Sequence, residues 1–282
     1  MDHQRGRLRF LRRTSDRPRQ RFQRGVYLLP SLFTVANLFC GYACVIYAMH
    51  GEVETAAPFI GIAFVLDMLD GRIARMTGTE SDFGVQFDSL ADVISFGIAP
   101  AILSFQWGLA PLGRLGWAAG FLFVTAAAMR LARFNIQTSA AGADKRYFVG
   151  MPSPAAAAVP ASTVFLYPAG FTDYRAALPA LAIVLVPAVL MVSTIRFRSF
   201  KTIDLRSRRP YTVLLVIATG IVLIVTHVQV ALVVMSYTYL ASAFIGMAIT
   251  RVKQRGGRGS SDQGQSSSTA SSTPPLRDSA AS

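Results

Sequence analysis

Eight apolar stretches restrict the fold of this sequence more than any other feature. Most are near the ~20 residues that an α-helix needs to cross a bilayer. Hydrophobic residues make up 52% of the 282 residues and charged residues only 15%. This composition predicts an all-α fold, a polytopic membrane bundle of about eight transmembrane helices. The stretches are residues 28–49, 56–76, 84–107, 115–134, 152–169, 176–195, 211–226 and 229–250.

The basic residues between the stretches predict the orientation in the membrane. Lys and Arg outnumber Asp and Glu by 28 to 15, and cytoplasmic loops are the ones enriched in Lys and Arg. If the N-terminus is in the cytoplasm, the loops on the other side of the membrane contain only two basic residues, Arg114 and Arg175. We therefore expect a protein of the bacterial cytoplasmic membrane with both termini in the cytoplasm. No nucleic-acid partner is expected, because the basic residues do not line one soluble face.

Composition also predicts the domain organisation. Residues 1–27 form a basic arm that either lies on anionic membrane lipid or serves orientation and solubility alone. Because the first 24 residues contain no long apolar core, a cleaved signal peptide is not expected. Residues 28–250 form the membrane-embedded domain, and residues 251–282 a disordered tail of Gly, Ser, Gln, Thr and Pro. Cys40 and Cys44 are expected to be small core residues rather than zinc ligands or a disulfide.

Four aspartates lie within or beside the second and third stretches: Asp67, Asp70, Asp88 and Asp92. Carboxylates near hydrocarbon are unfavourable, and a bound cation would compensate them. Residues three or four apart share a helix face, so each pair points together. A tight reversal around residues 78–84 would bring the pairs face to face. Because oxygen ligands suit Mg²⁺ or Mn²⁺, the sequence predicts a site for two divalent ions.

Such a site suits phosphoryl-type displacement. Two metals about 4 Å apart can clamp a pyrophosphate and stabilise a leaving phosphate. One carboxylate must then take the proton from the attacking hydroxyl. Asp92, one turn deeper than Asp88, is the candidate for that step. We therefore predict that the membrane-embedded domain is catalytic.

Small residues accompany the aspartates, namely Gly71, Ala74, Gly78 and Gly84. They lack bulk, so a nucleotide would be able to lie against the helix backbones, with Arg75 as a cation for its phosphate oxygens. The alternative is that they permit close helix packing, as small residues do in membranes. The alternative for Arg72 and Arg75 is that they only mark the cytoplasmic end of the second stretch, where basic residues are enriched. The two interpretations of the small residues are compatible.

The spacing of these residues resembles a known family. The pattern D-x2-D-G-x2-A-R-x8-G-x3-D-x3-D is filled by Asp67, Asp70, Gly71, Ala74, Arg75, Gly84, Asp88 and Asp92. It is that of the CDP-alcohol phosphatidyltransferases. Residues 37–41, 88–100, 130–135 and 148–154 resemble the phosphatidylserine synthase branch of that family. The resemblance covers roughly residues 29–209 and leaves both tails outside.

The resemblance implies transfer of a phosphatidyl group from CDP-diacylglycerol to the hydroxyl of L-serine, with release of CMP. It implies that Asp67, Asp70 and Asp88 bind the metal ions and that Asp92 is the general base and also touches the second metal. Residues lining the nucleotide and pyrophosphate site would be Gly71, Ala74, Arg75 and Gly84. A six-helix core is implied, with spans seven and eight as an addition, and a homodimer is usual.

Further residues are assigned less directly. Asn37 is expected to contact the cytosine or ribose. The serine carboxylate needs a cation, and Arg130 or Arg133 is available for bidentate pairing. The alternative for each arginine is that it marks the inner end of a span.

Three other functions remain open on the sequence. The first is the same chemistry with another acceptor, such as glycerol 3-phosphate or inositol phosphate, since the aspartate pattern does not separate these. The second is a transporter or channel, because intramembrane Asp and Arg also mark ion pathways. The third is a non-catalytic scaffold. Clustering of the carboxylates at one membrane face favours catalysis.

Overall fold

Helices account for nearly all of the described chain. The computed structural model describes residues 17–78, 81–139, 148–193, 196–197, 226–242 and 244. The helices in this part are α1 (Arg17–Met49), α2 (Val53–Thr77), α3 (Asp82–Leu112), α4 (Arg114–Ser139), α5 (Ser153–Leu166), α6 (Leu178–Val192) and α7 (Val228–Ser242). A two-residue antiparallel pair joins β1 (Phe148–Val149) to β2 (Arg196–Phe197), with Phe148 opposite Phe197. The predicted all-α class is confirmed.

Several helices are long and apolar enough to cross a membrane. In the described residues these are Ser31–Met49 of α1, all of α3, and Arg114–Gln137 of α4, while α5, α6 and α7 are shorter apolar helices. α2 has 25 residues, but its C-terminal half carries Asp67, Asp70, Arg72 and Arg75. The apolar helices indicate a membrane helical bundle. The count of eight spans stays a prediction.

Some helix boundaries differ from the predicted stretches. α1 begins at Arg17, inside the predicted basic arm, where Pro18 falls in the first turn and is tolerated. α3 continues past residue 107 to Leu112. α5 ends at Leu166, just before Pro168 and Gly170, which do not continue a helix. The rest of the predicted arm (residues 1–16), residues 211–225 of the seventh stretch and the predicted tail (residues 251–282) lie outside the described residues.

Small side chains form the contact between α1 and α2, the most extensive helix pair of the described bundle. Cys44 and Ala48 of α1 and Ala56 and Ala63 of α2 are completely buried. Small residues let helix backbones approach closely, which is the usual basis of packing between membrane helices. Cys40 and Cys44 are buried free cysteines, which confirms their prediction as core residues.

α3 departs from α-helical geometry at two places along its length. Ile94–Ile98 and Phe105–Leu109 form π-helical turns, and Ala110–Leu112 closes the helix as a 3₁₀ turn. A π-helical turn widens the helix and is often found at functional sites. The first of these turns begins two residues after Asp92, so α3 changes its geometry directly beside the predicted catalytic residue.

α7 is joined to α5 by polar contacts. The hydroxyl oxygens of Ser162 and Ser236 lie 2.8 Å apart, and those of Thr163 and Tyr237 lie 3.0 Å apart. Tyr239 also packs against the hydrophobic core. Hydroxyl pairs of this kind link helices where water is excluded. They attach α7 to α5 within the bundle.

Candidate active site

A short connection turns the chain back between α2 and α3. Gly78 ends α2 in the left-handed conformation, at φ 63°, and its N–H donates to the carbonyl of Ala74. Ser81 begins α3, since its hydroxyl accepts a hydrogen bond of 3.0 Å from the N–H of Gly84. A glycine after the last turn and a serine before the first are favoured helix caps. The predicted reversal around residues 78–84 is confirmed.

The reversal brings three of the four predicted aspartates together. Each of Asp67, Asp88 and Asp92 offers one carboxylate oxygen, and these oxygens lie within 4.8 Å of one another. Asp67 and Asp88 are half-buried, and Asp92 is only 7% exposed. Carboxylates at this separation repel each other, and burial strengthens the repulsion. The arrangement therefore favours a bound cation.

Asp70 lies next to this group but not within it. Its carboxylate accepts a hydrogen bond from the hydroxyl of Thr34 on α1, and its side chain is 5% exposed. The expected cluster of four carboxylates is therefore present as a group of three with Asp70 at its side. The sequence did not reveal Thr34, although a hydroxyl within an apolar stretch needs a partner.

Asp92 also receives a contact from α1. The side-chain amide of Asn37 donates a 3.2 Å hydrogen bond to Oδ1 of Asp92. Asn37 is completely buried. The sequence placed Asn37 against the cytosine or ribose, whereas the structure places its amide against a carboxylate. Its contact with the nucleotide stays a prediction.

The residues present fit a hard divalent cation such as Mg²⁺ or Mn²⁺. All three groups offer carboxylate oxygen, the donor that these ions prefer. Oδ1 of Asp88 is buried and has no hydrogen-bond partner in the described part of the chain. A buried, unpaired carboxylate oxygen is unfavourable by itself and is satisfied by coordination. Asp67, Asp88 and Asp92 are thus the residues that would hold such an ion.

Arg130 is the predicted arginine that the structure connects to the site. Its guanidinium donates to the hydroxyl of Ser153 at 3.0 Å and lies 5.3 Å from the centre of the Phe134 ring. It also interacts electrostatically with the carboxylates of Asp67 and Asp92. Ser153 begins α5, so this contact ties α4 to α5 beside the aspartates. Arg133 lies almost one turn further along α4 and is half-buried.

The predicted nucleotide residues lie on the adjoining parts of α2 and α3. Arg75 folds back along α2, so that a Cβ added to Gly71 would lie 3.4 Å from its Nη1. Arg75 also interacts electrostatically with Asp67. Ala74 is half-buried on the same helix, and Gly84 belongs to the first turn of α3. A methyl group at Gly71 would be in ordinary van der Waals contact with this arginine.

A further polar contact connects α4 to the site, and the sequence did not point to it. The amide of Asn135 donates to the hydroxyl of Ser89 at 2.9 Å, which links α4 to α3 next to Asp88. A polar residue in an apolar helix signals that a partner exists, but it does not say which helix carries that partner.

Several known proteins are similar in sequence to this chain. The sequence is similar to the CDP-diacylglycerol–serine O-phosphatidyltransferase of Helicobacter pylori, with 41% identity over 179 residues, 63% of this chain and 75% of that protein. The Bacillus subtilis protein of the same name is 32% identical over 173 residues, 61% of this chain and 91% of its own. The archaetidylserine synthase of Methanothermobacter thermautotrophicus is 36% identical over 171 residues, 60% of this chain and 69% of its own.

The family assignment depends on a match across the whole site. A sequence profile of the CDP-alcohol phosphatidyltransferases matches residues 27–195. This range contains all four aspartates, the turn that brings them together, and the part of α1 that contacts them. The profile match, the relatives and the grouped carboxylates agree, and the chain belongs to the CDP-alcohol phosphatidyltransferase family.

Proposed function

We propose that this protein transfers the phosphatidyl group of CDP-diacylglycerol to the hydroxyl of L-serine, giving phosphatidylserine and CMP. The observation that carries the proposal is the group of three carboxylate oxygens within 4.8 Å of one another between α2 and α3. Relatives named for serine transfer support the acceptor. The archaeal relative is named for archaetidylserine, so its name also contains serine.

The aspartates are proposed to hold two divalent ions, Mg²⁺ or Mn²⁺. Asp67, Asp88 and Asp92 converge on one position, and Asp70, one turn from Asp67, would complete the second. When bound, such ions polarise the diphosphate and neutralise the charge that develops on the leaving phosphate. The aspartates themselves fix where the diphosphate of the lipid lies.

Asp92 is proposed to accept the proton of the serine hydroxyl. The serine oxygen forms a bond to the phosphatidyl phosphorus, and the bond from that phosphorus to the bridging oxygen breaks, so that CMP leaves. The proton goes to a carboxylate oxygen of Asp92. The side chain is buried and held by Asn37, which keeps its orientation fixed while the acceptor binds.

Small and cationic residues of α2 and α3 are proposed to form the nucleotide subsite. Arg75 would pair with phosphate oxygens, and its fold over Gly71 keeps it near Asp67. Ala74 and Gly84 would leave space for the nucleotide against the helix backbones. This placement keeps the cytidine end of the lipid near the α2–α3 turn.

Arg130 is proposed to bind the carboxylate of serine. A guanidinium can pair with a carboxylate through two parallel hydrogen bonds, and this one is already placed near Asp92 by Ser153. Arg133 is the alternative. Arg130→Lys keeps the charge but loses the two-bond geometry, so it should raise the KM for serine. The same change at Arg133 distinguishes the two residues, because a raised KM for serine in that variant alone would assign the carboxylate to Arg133.

The proposed reaction needs access to both the membrane and the cytoplasm. CDP-diacylglycerol lies in the lipid, and serine and CMP are water-soluble. We propose an integral protein of the bacterial cytoplasmic membrane, with the aspartate site and both termini on the cytoplasmic side, that acts as a homodimer. The loop charges support this orientation.

An acceptor panel tests the proposal. Purified protein with CDP-diacylglycerol and Mn²⁺ is offered serine, glycerol 3-phosphate and inositol phosphate, and CMP release and lipid products are measured. We expect metal-dependent CMP release with phosphatidylserine as the product. Release with another acceptor alone would overturn serine as the substrate. Absence of metal-dependent release would overturn the transferase and favour the transporter.

A further inference from the structure

One face of α1 contacts the aspartate site at three levels. Thr34, Asn37 and Gly41 are three and four residues apart, so they share a helix face. The sequence of α1 contains no Asp or Glu. It therefore has no carboxylate to contribute to a metal site. Its contacts nevertheless reach one member of each aspartate pair.

At the first level, Thr34 holds Asp70. The hydroxyl of Thr34 donates to Oδ2 of the carboxylate, and both side chains are buried. A hydrogen bond to one oxygen of a buried carboxylate restrains the orientation of the whole group. The contact links α1 to the carboxylate that lies beside the group of three. It therefore decides where Asp70 can point.

At the second level, Asn37 holds Asp92. Its amide nitrogen donates to Oδ1 of Asp92 at 3.2 Å, and its own Oδ1 is buried without a hydrogen-bond partner in the described part of the chain. Burying an amide oxygen in this way is unfavourable. A leucine of similar size would avoid the loss. The amide is therefore better explained by its contact with Asp92 than by packing.

At the third level, Gly41 lets α1 approach α3. A Cβ at Gly41 would lie 2.5 Å from Oγ of Ser95 and 2.8 Å from its Cα, so no other residue fits without movement of the helices. The hydroxyl of Ser95 donates to the backbone carbonyl of Asn37 at 3.0 Å. Ser95 belongs to the π-helical turn that begins two residues after Asp92. This contact fixes the position of Asn37 along the axis of α1 relative to Asp92 on α3.

We propose that this face of α1 positions the aspartate site, with Thr34 orienting Asp70 and Asn37 orienting Asp92. The inference depends on the proposed function, because the orientation matters through metal binding and proton transfer. Asn37 and Thr34 are positioning residues, since each acts through an aspartate. Outer partners of this kind typically change metal affinity or activity by about 10- to 100-fold when they are removed.

The test for Asn37 separates turnover from binding. Asn37→Leu removes the amide at similar volume, and Asn37→Ala removes it without added bulk. We expect kcat to fall about 10- to 100-fold, with the KM for CDP-diacylglycerol changed less than about threefold. Val35→Ala, at a side chain that is 49% exposed, is the control on the same helix and should keep both constants.

The test for Thr34 measures metal binding without turnover. Mn²⁺ binding to the detergent-solubilised protein is followed by electron paramagnetic resonance in the absence of lipid substrate. Thr34→Val removes the hydroxyl at similar size and should weaken Mn²⁺ binding about tenfold. Thr34→Ser keeps the hydroxyl and should stay within about threefold of the wild type.

The outcomes distinguish this inference from the proposed function. Suppose the wild type makes phosphatidylserine and Asp92→Asn does not. The positioning role is then overturned if the Asn37 variants keep full kcat or if Thr34→Val binds Mn²⁺ as the wild type does. It is also overturned if the KM for CDP-diacylglycerol rises as much as kcat falls in the Asn37 variants, which is the result expected if Asn37 contacts the nucleotide directly. Failure of the wild type to release CMP would instead overturn the proposed function.

Discussion

The two π-helical turns of α3 share a backbone geometry but differ in their surroundings. The turn Ile94–Ile98 presents Ser95 to α1, and its hydroxyl donates to the carbonyl of Asn37. In the turn Phe105–Leu109, the indole nitrogen of Trp107 donates to the carbonyl of Tyr167 at 2.6 Å. The Trp107 and Phe171 rings meet edge to face, with centroids 5.2 Å apart. Ser95 and Trp107 are about 18 Å apart along the helix.

The difference separates two roles along one helix. At the aspartate end, the widened turn serves polar contacts that hold Asp92 in place. At the far end, it serves aromatic packing that closes the bundle over residues 167–171. Substitutions at the first turn should therefore change turnover more than stability, and substitutions at the second should do the opposite.

Asp92→Asn should produce the largest effect on kcat, because Asp92 lies at the aspartate end of α3 and is the proposed general base. Loss of the general base should lower kcat about 10²- to 10⁴-fold while CDP-diacylglycerol still binds. The measurement is CMP release together with the Tm of the detergent-solubilised protein, which should change little. Asp173→Asn, at an exposed carboxylate far along the chain, is the control. Near-normal turnover of Asp92→Asn would mean that another group takes the proton.

Gly41→Ala tests whether the first turn connects stability to turnover. Its Cβ would lie 2.5 Å from Oγ of Ser95, so α1 and α3 must move apart. Overpacking of this kind costs about 1–3 kcal/mol, and kcat should also fall because Asn37 moves away from Asp92. Gly61→Ala is the matched control, since nothing lies within 4 Å of its added Cβ. An unchanged kcat in Gly41→Ala would mean that the close approach of α1 and α3 does not affect turnover.

Trp107→Phe should affect stability alone. It keeps most of the aromatic packing against Phe171 but leaves the carbonyl of Tyr167 without the indole donor. Loss of a hydrogen bond of this kind costs about 0.5–1.5 kcal/mol, which thermal unfolding in detergent would detect as a lower Tm. The kcat of the folded protein should equal that of the wild type. A lower kcat would show that the far end of α3 acts on the site.

Ser236→Ala should give the smallest effect. It removes the hydroxyl pair with Ser162 between α5 and α7, where the oxygens are 2.8 Å apart. Hydrogen bonds between membrane helices contribute about 0.6 kcal/mol on average, so a small decrease in Tm is expected. Val234→Ala, at a side chain that is 57% exposed on the same helix, is the control. A large decrease would show that α7 is held mainly by this contact.

Local features of the site could be predicted from the sequence. The spacing of Asp67 to Asp70 and of Asp88 to Asp92 placed each pair on one face, because helix periodicity is a property of neighbouring residues. Gly78 could mark the reversal because a glycine that ends a helix is also a local signal. The convergence of Asp67, Asp88 and Asp92 then follows from a short connection between two helices.

The contacts between distant parts of the chain could not be predicted. Thr34 and Asp70 are 36 residues apart, and Asn37 and Asp92 are 55 apart. Their pairing depends on how α1 rotates against its neighbours, and apolar stretches with little polar contrast do not specify a rotation. The π-helical turns were missed for a related reason, since an apolar segment can keep its polarity pattern whether or not one turn is wider.

The widened turns also bear on how the length of α3 can vary. Each π-helical turn accommodates an extra residue within an α-helix. Deleting one residue from 94–98 would therefore restore regular geometry there and leave the residues beyond it close to their present faces. A deletion within the regular α-helical stretch Ala99–Ser104 would instead rotate everything beyond it by about 100° about the helix axis. After a deletion in Ala99–Ser104, Trp107 would face away from Tyr167, although Asp88 and Asp92 would keep their places on the preceding turns. The aspartate end of α3 and its aromatic end are thus held in register by the number of residues between them.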